Sequence, residues 1–201
     1  MKLKRLLAYI IDILIVGFIA SAISSIEVIN PYYDNYIGAY EKYSKEMDSL
    51  NEDNVFDKIK SEEFVLDYQN VLKYGVYSSV ICITCYILYF GGFQKWNKNQ
   101  TVGKKLMRLK VVNKNNKDDV RLWQYILRTI IVYNLLFNSL SVVVSYMFKG
   151  SLFFTTSIIT SIIGYVITYL GYGMILFRKD GKGLHDLLSG TEVMEVKNVI
   201  N

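Results

Sequence analysis

Few residues in this chain combine a type and a setting that could do chemistry, and the foremost is Asp12. It sits in an apolar run of 21 residues, Leu6 to Ile26, that holds no other charge. A carboxylate two helical turns inside a bilayer costs roughly 2.5 to 3.5 kcal/mol unless protein, water or a cation meets it. Arg5 lies seven residues earlier, on nearly the same helical face and about 10 Å away. Arg128 opens a later apolar run at a comparable depth, so an Asp12–Arg128 contact is expected, with Arg5 as the competing partner. Two roles compete for the acid: titrating or coordinating a cation on a transport path, and forming a structural pair or cap.

Other candidates are weaker. Asn134, Asn138, Ser141 and Ser145 recur at helical spacing, and with the span-two hydroxyls they would line a polar path. Cys82 and Cys85 supply half a zinc site, while the single histidine, His185, is far along the chain, so both read as small buried hydrophobes. No metal site or cofactor is expected. Thr101-Val102-Gly103-Lys104 has the Gly-Lys pair of a phosphate loop but lacks its first glycine, and Lys105 stands where a hydroxyl would meet magnesium. Neither a serine nor a cysteine nucleophile accompanies His185 and Asp186, which are expected near lipid headgroups. With no paired carboxylates and no nucleophile beside a base, an enzyme is not expected.

The elements that must position these residues are membrane spans. With 52% hydrophobic residues and four long charge-poor runs, the 201 residues fit a single membrane domain. The expected fold is an all-α, four-helix transmembrane bundle with spans at about 6–29, 71–93, 126–148 and 151–177. A cleavable signal peptide competes for the first run, but Asp12 would fall inside its apolar core. The basic 94–123 loop holds nine Lys and Arg against two acids, whereas Asn30 to Lys73 holds ten acids against five lysines. Both termini and the 94–123 loop are therefore expected in the cytoplasm, against anionic inner-leaflet headgroups, and 30–70 outside as an acidic insertion. The net charge of +5 is a topology signal, not one for nucleic acid.

Within the insertion, Tyr36, Tyr40, Tyr43, Met47 and Leu50 mark one face of an amphipathic helix, and a helical hairpin is the expected form. The stretch that begins at Thr101 reads as an interfacial helix, with Val102, Leu106 and Leu109 entering the interface while Lys104, Lys105 and Arg108 reach phosphates. Val111-Val112 and Val120 to Trp123 read as a short hairpin or loop. Thr156, Thr160, Gly164, Thr168 and Tyr172 repeat by four, which suits close helix packing. In the 178–201 tail, Leu184, Leu187 and Leu188 would dip into the interface, and Gly190 would end a short helix.

Three separated motifs resemble the RDD family of bacterial membrane proteins, named for an arginine and two aspartates. They are Arg5-Leu-Leu-Ala-Tyr-Ile-Ile-Asp12, Thr101-Val-Gly-Lys104 with Leu109-Lys-Val-Val112, and Leu184-His185-Asp186 followed by Gly190-Thr191. The resemblance implies that Arg5, Asp12 and Asp186 are the named trio, that Arg128 matches the arginine before the third span, and that 30–70 is an insertion. It also implies a multi-pass protein of the bacterial cell membrane with a transport role, sodium–proton exchange being one form. Such a transporter of a small solute or cation would use Asp12, in a homodimer because four spans are few. The alternative is an accessory or immunity protein that meets a protein partner through the acidic 30–70 segment.

Overall fold

A computed structural model describes residues 1–117 and 120–196; Asp118, Asp119 and residues 197–201 of the expected tail lie outside the described residues. The first apolar run is helix α1 (Lys2–Ser24), which ends ahead of Pro31. The acidic segment holds α2 (Tyr33–Asp48), α3 (Val55–Lys58) and α4 (Glu62–Tyr74). Ser61 caps α4 by accepting from Phe64 N at 3.3 Å, and Glu62, Glu63 and Lys73 match the helix dipole at its two ends. Next come α5 (Val76–Ile87), a π-helical turn over Leu88–Phe93 and α6 (Gln94–Trp96), which together form one apolar rod.

Short elements follow: α7 (Val102–Leu106) and strand β1 (Leu109–Asn113). Then come α8 (Leu122–Val132), α9 (Leu135–Met147), the long α10 (Gly150–Phe177), α11 (Leu184–Ser189) and strand β2 (Thr191–Glu195). By length and composition α1, Val76–Trp96 and α10 each suffice to cross a membrane, and the bent pair α8–α9 makes a fourth span if counted as one. Along α10 the side chains of Ile159, Ile162, Val166 and Leu170 are at least half exposed, the surface that hydrocarbon rather than water would cover.

The chain divides into two compact units. One comprises Met1–Ala20, Cys82–Leu135 and the chain from Tyr165 onward; the other comprises Ser21–Ile81 and Leu136–Gly164. In the second unit α2 and α4 lie together. Lys42 bridges to Asp67 at 3.0 Å and Glu63 at 3.6 Å, and Tyr43 stacks against Phe64 and Tyr68. Val65, Val144 and Phe153 form its buried centre. Gln69 donates to the carbonyls of Ser145 and Phe148 at 2.6 and 2.8 Å, satisfying oxygens at the end of α9 that the helix leaves free.

The first unit departs from several expectations. Leu109 does not enter lipid: it is buried with Val111, Val193, Tyr125 and Ala8, because β1 is a strand and not the end of an interfacial helix. β1 does not pair with Val120 to Trp123, where α8 begins, but runs antiparallel to β2, with Val111 opposite Val193 and Asn113 opposite Thr191. The fold therefore adds a two-stranded sheet to an otherwise helical chain. β2 alternates buried and more exposed positions, as a strand with one covered face does, whereas in β1 the adjacent Val111 and Val112 are both buried. The expected continuous third span breaks between Val132 and Leu135, where Asn134 takes a left-handed φ of +55°. Asparagine tolerates that conformation better than most residues. Gly190, at φ +64°, ends α11.

Leu109→Ala should lower stability by about 3 kcal/mol, since a buried leucine is replaced by a cavity. A denaturant titration in detergent measures it. The exposed neighbour Leu106, changed to Ala, should stay within about 0.5 kcal/mol of the wild type.

Candidate functional site

The polar site lies in the first unit and has two acids at its centre. Asp186, whose side chain is fully buried, stands on the first turn of α11, and its Oδ2 accepts from Gly183 N at 3.0 Å. Arg5 of α1 donates to Oδ2 through Nη2 at 2.7 Å and to the Gly181 carbonyl through Nη1. Arg128 of α8 donates through Nη1 to Asp186 Oδ1 and to Thr191 Oγ1. Burial alone would raise the pKa of Asp186, but Arg128, His185 and Arg5 together hold it below the ordinary carboxylate range.

His185 is nine-tenths buried, and its Nε2 is 3.5 Å from Asp186 Oδ2. Burial first, then the charge of Arg128, lowers the imidazole to about 3, so the ring is neutral at physiological pH. Both residues are buried within the protein. The tail folds back onto the ends of α1 and α8, because two buried guanidinium groups need a carboxylate.

Asp12 has no arginine partner. Its Oδ1 accepts from Tyr89 Oη and from Gly103 N, both at 2.8 Å, and its Oδ2 accepts from Thr101 Oγ1 at 2.5 Å. The expected Asp12–Arg128 contact, and its Arg5 competitor, are therefore both replaced, with each guanidinium taken by Asp186. Thr101 also caps α7 by accepting from Lys104 N at 3.3 Å, so one hydroxyl joins the α7 start to α1. Gly103 is required by the approach of the two helices. A Cβ there would strike the Ala8 carbonyl and come within 3.0 Å of Asp12 Cγ.

Lys104 does not snorkel outward. Its Nζ donates to Gln94 Oε1 at 3.3 Å and Thr101 Oγ1 at 3.4 Å, and lies 5.5 Å from the centre of the Phe90 ring. Burial lowers this ammonium to about 8, with Asp12 opposing and Arg128 assisting the shift. Lys104, Thr101, Asp12 and Tyr89 thus make one continuous hydrogen-bonded chain.

A cavity of about 460 Å³ lies against these groups, lined by Arg5, Asp12, Lys104, Arg128 and His185 among mostly apolar neighbours. Asn134 and Asn138 are not part of it. Asn134 marks the helix break, and Asn138 is exposed in the second unit. Ser141 and Ser145 return their hydroxyls to Phe137 and Val142 carbonyls of their own helix.

Several members of the site were not singled out for it by sequence. Tyr9 and Tyr172 share a 2.6 Å hydrogen bond, and Tyr9 stacks on Tyr133. Tyr125 also lines the cavity, and its place one turn before Arg128 in α8 was the available signal. Among the described residues no cluster of three or more His, Cys, Asp and Glu side chains could hold a metal ion.

A helical chain with apolar rods of spanning length and a buried charge network is of the integral membrane class. The model of the RDD family matches residues 2–190, and the chain belongs to that family. Nothing matches it among curated proteins or among solved structures.

The neutral His185 and the ionised Asp186 make the fold acid-sensitive. The imidazole is lowered from 6.5 to about 3, so its contribution is complete above pH 6.5 and lost as pH falls through that window. Asp186, lowered from 3.8, adds a second loss at still lower pH. The thermal midpoint should be level near pH 7 and decline below pH 6.5, whereas in His185→Gln it should hold to about pH 4. A wild-type midpoint unchanged down to pH 4 contradicts a buried neutral imidazole.

Proposed function

We propose that this RDD protein is a multi-pass carrier of the cell membrane that binds a small solute or ion in the cavity beside Asp12. The cavity itself supports this most: a space of about 460 Å³ whose wall includes Asp12, Lys104 and His185. Membrane domains seldom bury ionisable groups unless the groups serve binding or transfer. The excess of basic residues in the N-terminal segment and in 94–123 supports a cytoplasmic placement of both. Four spans make a short path, and a homodimer belongs to the proposal.

In this reading the two acids divide the work. Asp186 is pinned by two arginines and fixes the frame, whereas Asp12 is held only by neutral donors, from Tyr89, Thr101 and Gly103. A proton or a sodium ion arriving at Asp12 would compete with those donors and loosen the 101–103 turn from α1. Occupancy of the cavity would then be coupled to a local change of conformation. In proteoliposomes, Asp12→Asn should lower proton- or sodium-coupled flux at least about tenfold, the loss expected for a charge made uncharged at the coupling site. Equal flux from both proteins, or none with any ion tried, removes the carrier reading.

A second reading, an accessory or immunity protein, is favoured by the α2–α4 hairpin. A recess there is lined by Asp34, Lys42, Asp67 and Asn70, and Asp67 Oδ2 is buried without a hydrogen-bond partner. A basic protein surface is the partner such a segment suits. Neutralising the exposed Asp34, Glu41 and Asp48 together should weaken binding of an oligolysine probe about tenfold at low salt and less at high salt. Binding that ignores both the charges and the salt discards this partner.

A further inference from the structure

The cavity of the first unit has an uneven chemistry. Four basic residues, Lys2, Arg5, Lys104 and Arg128, face one lining acid, Asp12. The two arginines are answered by Asp186, and Lys2 donates to the Leu176 carbonyl at 2.5 Å. Lys104 is answered by an amide oxygen and a hydroxyl at 3.3 and 3.4 Å and by the face of the Phe90 ring, and among the described residues it forms no ion pair within 4 Å. A second group is also left over. Tyr125 is 1% exposed, and among the described residues its hydroxyl has no hydrogen-bond partner. Buried donors in such a position are rare, because each loses its bonds to water and gains nothing in return. The rest of the wall is apolar, with Leu6, Phe90, Val132, Ile175 and Leu176 prominent.

From this we infer that the cavity is a binding site for an amphiphilic organic monoanion, its charged end answered by Lys104 and Tyr125 and its apolar body lying on the hydrocarbon wall. The assignment rests on the carrier reading for its physiological sense and names the class of solute. Other occupants fit less well. A bare cation in the body of the cavity, away from Asp12, would meet four basic side chains. An uncharged apolar molecule would leave Lys104 and Tyr125 unanswered, and inorganic phosphate would leave the hydrocarbon wall against water. Burial, which holds the Lys104 ammonium down at about 8, is also what a nearby anion would offset. The anion's source is either a soluble carboxylate or an anionic lipid, which share this chemistry.

The test uses the full-length protein in phosphatidylcholine nanodiscs, titrated by calorimetry with octanoate, octanol and octyltrimethylammonium. Octanoate should bind at least about tenfold more tightly than octanol, as a charge-assisted contact requires, and the cation should not bind. Lys104→Gln should remove that preference while leaving octanol unchanged, Lys104→Arg should keep it, and Tyr125→Phe, which preserves the ring, should weaken octanoate about threefold or more. Equal binding of octanoate and octanol, preference for the ammonium compound, or an unchanged preference in Lys104→Gln each overturns the assignment. Repeating the titration in phosphatidylglycerol discs separates the sources. Octanoate excluded there identifies a lipid headgroup as the occupant, and octanoate retained identifies a soluble anion. Octanoate binding without any flux in liposomes supports the site and removes the carrier, whereas ion flux with no octanoate binding sinks the site and leaves the carrier standing.

Discussion

Two arginines, Arg5 and Arg128, each paired with the buried Asp186, set the condition that the first unit must meet. Each alone would be expensive to remove from water, and the arginines together would repel. One carboxylate shared between two guanidinium groups answers both, provided both of its oxygens accept. Here they accept from Arg5, Arg128 and the Gly183 amide. That requirement draws in the rest: α11 must lie where its first turn reaches α1 and α8, and β2, which follows directly, must then pair with β1. Gln124 of α8 extends the same contact by donating to the Ser189 carbonyl at 2.6 Å.

The second acid obeys a different rule. Asp12 is met by a phenol, an alcohol and a backbone amide, all uncharged, so its negative charge is dispersed by dipoles and not cancelled. Dipoles reorient at less cost than an ion pair separates. The unit therefore holds one carboxylate answered by charges and one answered by neutral donors, the contrast on which the proposed responsiveness of Asp12 rests.

Much of this was legible beforehand, and the misses have definite causes. Hydropathy and length located the spanning runs, and the family motifs marked Arg5, Asp12 and Asp186 as belonging together. What they touch was not legible. Helical phase says that Arg5 and Asp12 share a face, but it cannot say that the tail delivers a second carboxylate to the first arginine. The pairing of β1 with β2 joins segments some eighty positions apart, and local alternation in Leu109 to Asn113 was too short to distinguish a strand from the end of a helix. The break at Asn134 was hidden by an uninterrupted apolar run with no proline or glycine. Only the tolerance of asparagine for positive φ hinted at it.

Arg5 and Asp186 are 181 positions apart. During synthesis the amino-terminal helix and α8 must both wait, guanidinium groups unmatched, until almost the last of the matched region has left the ribosome. Chains halted before Asp186 would therefore carry two guanidinium groups without the carboxylate that both share. Both arginines thus depend for their counter-charge on a residue that is made long after either of them.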